Sequence, residues 1–140
     1  MSSRNKDPES NTAELEGMKQ LVTSFWHAFD EREFDAALAL LHPRFEALWP
    51  NTRERFPTGK KFIDANRHYP GRWRIDVERC DRHGDGILTV VQVTSREPPS
   101  QMFSAVSFFH FEDDCISRVT EYWGDCVEPP EWRKPYAVRY

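Results

Sequence analysis

Among the residues able to pass a proton, Glu121 is singled out by its neighbours. In Val119-Thr120-Glu121-Tyr122-Trp123-Gly124-Asp125 it alternates with Val119 and Trp123, the period-two pattern of one strand face. A carboxyl held beside an indole in low dielectric keeps its proton above the usual range and can serve as general acid or base. The competing reading is an ion pair with a guanidinium such as Arg53 or Arg55. Asp125 follows Gly124 and is either a second acid or an exposed turn carboxylate. His27 stands one residue off an apolar helical stripe, so it reaches an interior site or faces solvent.

Other chemistries find less support. His42, His68, His83 and His110 are dispersed and offer no HxxxH spacing, and Cys80, Cys115 and Cys126 form no CxxC. No metal is therefore expected. GxSxG and a glycine-rich phosphate loop are both missing, so no cofactor is implied. Ser107 can donate a hydrogen bond, but no base stands beside it to make it a nucleophile. The formal charge is −4 with Lys and Arg dispersed, which argues against a nucleic-acid surface. No apolar run approaches a membrane span, and no leader-like segment follows Met1. The cytoplasm is the expected compartment.

The periodicity supplies elements to position these groups. Residues 1–12 are polar and aperiodic and read as a frayed tail. Thr12 then caps a helix in which Leu15, Met18, Leu21, Val22, Phe25 and Phe29 recur at steps of mostly three and four. A second short helix buries Phe34, Ala37, Leu38 and Leu41 and stops at Pro43. Phe45 to Trp49 reads as a strand and 51–57 as a loop. Thr58 caps a third helix over 59–69, ended by Pro70-Gly71.

After Gly71 the period falls to two. Strands over 73–82, 87–96, 101–112 and 115–125, joined by tight turns, make an antiparallel meander. Three helices must cover one of its faces, so the class is α+β in one domain over 13–126. The tail, 127–140, carries Trp132, Tyr136 and Tyr140 among prolines and is expected to pack along the domain or a partner.

This order of elements, the Phe29-Asp30-Glu31-Arg32-Glu33-Phe34-Asp35 link, Leu40-Leu41-His42-Pro43, Thr58-Gly59-Lys60 and the final Thr120 to Asp125 run together carry a likeness. The chain resembles the nuclear-transport-factor-two-like superfamily, and within it SnoaL-like and ketosteroid-isomerase-like members. The resemblance implies a cone, a curved antiparallel sheet with three N-terminal helices (the cystatin-like α+β roll), closing on a pocket. It also implies a homodimer through the outer sheet face.

In the steroid isomerases a tyrosine and a protonated acid hold an oxyanion beside an aspartate base. By resemblance those positions fall on Phe25, Ser107 and Trp49, so that reaction is not expected here. The same likeness turns Phe103, Ala105, Ser107 and Phe109 toward one inner wall and Val119, Glu121 and Trp123 toward another, with Trp49 and Phe25 at the narrow end. Those aromatics either line a site for a small hydrophobic molecule or simply fill the cone as core. Two functions follow. One is acid–base chemistry through Glu121, with Asp125 or His27 assisting; the other is a non-catalytic binding or dimeric interaction module. The outer face, with Met102, Val106, Phe108, Leu88, Val90 and Tyr122, is apolar enough to need a cover, and a second subunit is the natural one.

Overall fold

A computed structural model describes residues 8–140, so 1–7 of the expected tail lie outside the described residues. The switch of period at Gly71 divides the chain as anticipated. Before it come α1 (Pro8–Asp30), α2 (Phe34–Ala39), β1 (Leu41–Trp49), β2 (Glu54–Phe56) and α3 (Gly59–Arg67). After it come β3 (Trp73–His83), β4 (Gly86–Ser95), β5 (Met102–Glu112), β6 (Cys115–Asp125) and a short 3-10 turn at Glu131–Arg133. The class is α+β. Among the described residues no helix is long and apolar enough to cross a membrane.

The sheet is larger than the meander alone. Its six strands run β2-β1-β6-β5-β4-β3, and β1 lies parallel to β6 while every other pair is antiparallel. It is therefore mixed, and it is not closed into a barrel. Leu41 belongs to this joint rather than to α2: it pairs with Ile116, whose amide donates to the Leu40 carbonyl at 2.9 Å. The β2 strand replaces an expected loop, because Pro50 to Arg53 turn tightly and send Glu54 to Phe56 back along β1. Helix α1 also begins earlier than expected. Pro8, whose fixed φ suits a first helical turn, opens it, and Thr12 lies inside. Thr58 caps α3 as anticipated, its Oγ1 accepting from the Lys61 amide at 3.1 Å.

Register decides what faces the helices. Ile87, Phe109 and Val119 stand opposite one another across β4, β5 and β6, as do Thr89, Ser107 and Glu121, and Val91, Ala105 and Trp123. The first of these rows is core, packed with Phe25, Phe45 and Phe62, all fully buried. Gly86 opens β4 where any Cβ would collide with the Phe109 carbonyl oxygen, so a side chain there would push the strands apart. His42 has a structural place in the sheet. Buried in β1, it accepts the Arg44 amide on Nδ1 (3.0 Å), which leaves Nε2–H to donate to Asp113 at 3.0 Å. It thus pins β1 to the β5–β6 turn. The tail aromatics Trp132 and Tyr136 stand exposed instead of lying along their own domain.

Candidate functional site

A cavity of about 280 Å³ opens between the helices and the β3–β6 part of the sheet. Trp26 and Phe29 of α1, Phe34 of α2 and Trp49 of β1 meet Trp73, Phe103 and Trp123 around it, with Ile75, Val91, Val93 and Ala105 on the sheet side. Each strand contributes alternate residues, which is why the wall is so uniformly apolar. Polar groups are few: Arg32, Asn66, Tyr69, Glu121 and Asp125.

Glu121 is the buried one. Its Oε2 accepts from Ser107 Oγ at 2.7 Å and its Oε1 from Trp49 Nε1 at 3.0 Å. Both donors favour the carboxylate, yet removal from water outweighs them and pushes the Glu121 pKa up from its ordinary 4.5. The anticipated pairing with Arg53 or Arg55 does not form. Arg55 is held by Glu46 at 2.8 Å, which Arg118 also meets, and among the described residues Glu121 has no ion-pair partner. Burial thus shifts the balance toward the neutral carboxyl relative to a glutamate in water.

The other sequence candidates separate. Trp49, Phe103, Trp123 and Asp125 line the cavity, Asp125 from the exposed end of β6. Ser107 is fully buried behind Glu121. Phe25, Phe109 and Val119 are core beneath the cavity and do not line it; Phe25 and Phe109 stack edge to face at 5.3 Å. His27 is exposed on α1 and does not line the cavity. Helical phase explains this, because the inner stripe includes Trp26 and turns its neighbour outward.

Trp26 was missed, although Val22, Trp26 and Phe29 follow the helical step that would have found it. Its Nε1 donates to Thr89 Oγ1 at 3.1 Å. Since Thr89 faces Ser107 and Ser107 faces Glu121, a polar row crosses the sheet beneath the cavity and ends on the acid. Trp73 and Tyr69 were also missed; they meet edge to face at 5.7 Å at the junction of α3 and β3, where no sequence period links them. Among the described residues no three His, Cys, Asp or Glu side chains gather as a metal site.

Comparisons with known proteins agree with this architecture. Residues 22–119 match the family model described as the SnoaL-like domain. No curated protein sequence matches the chain. A structure from Kribbella flavida, provisionally assigned as a ketosteroid isomerase, is 26% identical with a TM-score of 0.77, covering 89% of this chain and 90% of its own. An NTF-2-like protein of unknown function from Burkholderia xenovorans is 21% identical (TM-score 0.71; 89% and 96% covered). An LEH-like epoxide hydrolase of M. tuberculosis is 19% identical (TM-score 0.67; 77% and 83% covered).

Proposed function

We propose that this protein, which belongs to the SnoaL-like family, takes a small, largely apolar molecule into the cavity and presents Glu121 to it as an acid–base group. One observation carries the reading: among the described residues a lone buried carboxyl stands on an aromatic wall, held by two donors and by no cation. While protonated, Glu121 can hydrogen-bond or protonate an oxygen of the bound molecule. Once it has given up the proton, Ser107 and Trp49 stabilise the anion left behind. The volume lies near the lower end of the roughly 300–1,000 Å³ common in small-molecule sites, which suits a compact ligand.

The isomerase name of the Kribbella flavida neighbour is not carried over. The positions that the resemblance assigns to the isomerase base and acid are Trp49 and Ser107, and here both serve Glu121 instead. Phe25, at the tyrosine position, is core. A different reaction on a hydrophobic substrate fits these groups better.

The test begins with occupancy. N-phenyl-1-naphthylamine, a neutral fluorescent apolar probe, should bind the native protein and lose that binding in Ala105→Phe, which fills the cavity from β5. Glu121→Gln should keep the probe but cut turnover of any substrate found by about 10²–10⁴-fold. Undiminished turnover in that variant would sink the acid–base role.

The outer face supports a second proposal, that two copies associate through it. Val90, Val106 and Tyr122 stand in one outward row beside Leu88 and Phe108, and Tyr122 and Met102 are 47% and 39% exposed. Paired charges flank the patch, Arg74 with Asp76 and Arg79 with Asp81 on β3, and Arg118 with Glu46 toward β1. An apolar centre with a charged rim is the anatomy of an interface. Sedimentation should show a dimer that Val106→Arg converts to monomer; a native monomer at micromolar concentration would refute it.

A further inference from the structure

Arg32 occupies the turn between α1 and α2 with φ +58°, in the left-handed region. Its amide donates to the Phe29 carbonyl at 3.2 Å and that of Glu33 to the Ala28 carbonyl at 2.8 Å, closing the helix end. Glycine is the usual residue at such a position, having no Cβ to crowd the turn. An arginine here carries a backbone cost that glycine would avoid. Its side chain lines the cavity.

The guanidinium is held in place without being neutralised. Its central carbon lies 5.2 Å from the centroid of the Phe34 ring, and Nη2 donates to the Arg67 carbonyl at 3.2 Å. That hydrogen bond uses one of its five N–H donors. Neighbouring guanidiniums are matched: Arg67 meets Asp35 at 2.9 Å and Arg96 meets Asp30 at 3.0 Å. Among the described residues no carboxylate lies within ion-pair distance of Arg32. The other ionisable carboxyls on the cavity wall are buried Glu121 and exposed Asp125. Asp125 disfavours an anion near the end of β6. At the α1–α2 turn Asp30 and Asp35 are matched by Arg96 and Arg67, and Glu31 and Glu33 do not line the cavity. Arg32 is therefore the charge an anion in the cavity would meet there.

Granted that the cavity takes a ligand, we infer that the ligand is an amphiphilic acid, an apolar body carrying one oxyanion such as a carboxylate, and that Arg32 receives the oxyanion. The planar guanidinium fork suits a carboxylate better than a point charge would. Overall charge cannot supply the preference, since the chain carries a formal −4.

Two probes that share a skeleton make the test. Fluorescence titration would compare 1-anilinonaphthalene-8-sulfonate with neutral N-phenyl-1-naphthylamine on the full chain. Arg32→Gly should raise the dissociation constant of the sulfonate about ten- to a hundredfold and leave the neutral probe unchanged. Glycine suits the turn, so the fold should persist; Arg32→Gln, which keeps a donor and drops the charge, should weaken the sulfonate likewise. If Ala105→Phe expels the neutral probe but neither Arg32 variant discriminates between the two, the role of Arg32 is wrong and the ligand site stands. If the neutral probe stays bound in Ala105→Phe, the site and this inference fall together.

Discussion

Phe62→Ala is expected to cost the domain about 3–5 kcal/mol, the usual penalty for emptying a fully buried aromatic site. Phe62 has no exposure, and its ring meets those of Phe45 and Phe56 at 5.5 Å and of Phe29 and Trp49 at 6.2 Å. It is the side chain through which α3 holds α1, β1 and β2 at once. Few neighbours can collapse into the space, because Phe29, Trp49 and Phe56 are each held by a further ring, so most of the cavity term should be felt. Small domains have only about 5–15 kcal/mol in total, so this one change takes a large share. Urea unfolding should show the midpoint falling by roughly 1 M or more with its slope unchanged. A loss under about 1 kcal/mol would mean that the aromatic cluster is not packed as described. The change should also reach the site, since Phe62 supports the Trp49 ring that donates to Glu121.

What the sequence made legible follows the range of the interactions. The four late strands were readable because alternation is local and each turn announces itself, as Gly84-Asp85-Gly86 does. The Thr58 cap was readable for the same reason: its partner is the Lys61 amide, three residues on. The inward set of Phe103, Ala105, Ser107, Glu121 and Trp123 needed only parity plus one resemblance to say which side was inside. The β1–β6 joint was not readable, because Leu41 and Ile116 are far apart in sequence and Pro43 masks the strand. Charged β2 has three residues, too few to show a period. The cavity itself depends on how far α1 stands from the sheet. Phe25 and Phe109 therefore look equivalent to Trp26 and Phe103 in sequence, yet two are core and two line a void.

Glu121→Gln should gain on the native protein in stability as pH rises, and this is the sharpest physical test of the buried acid. Burial pushes the Glu121 pKa up from 4.5, the value the unfolded chain retains. Between those two values the folded state holds a proton that the unfolded state has released. Stability therefore falls with rising pH through that window, by about 1.4 kcal/mol per pH unit at most, and levels off above the folded value. Below pH 4.5 both states are protonated and the contribution of Glu121 to the pH dependence vanishes. Glutamine keeps the shape without the titration, so subtracting its unfolding curve from the native one isolates this group. Carboxyls shifted the other way, such as Glu46, held low by the hydrogen bonds from Arg55 and then Arg118, cancel in the difference. A flat difference from pH 4.5 upward would show that Ser107 and Trp49 already offset the burial of the charge. Glu121 would then sit in its cavity as an ordinary carboxylate, ready to accept a proton but with none to give. A sloping one would mean that the fold sacrifices stability to keep a proton facing an apolar cavity, a cost that structure alone does not require.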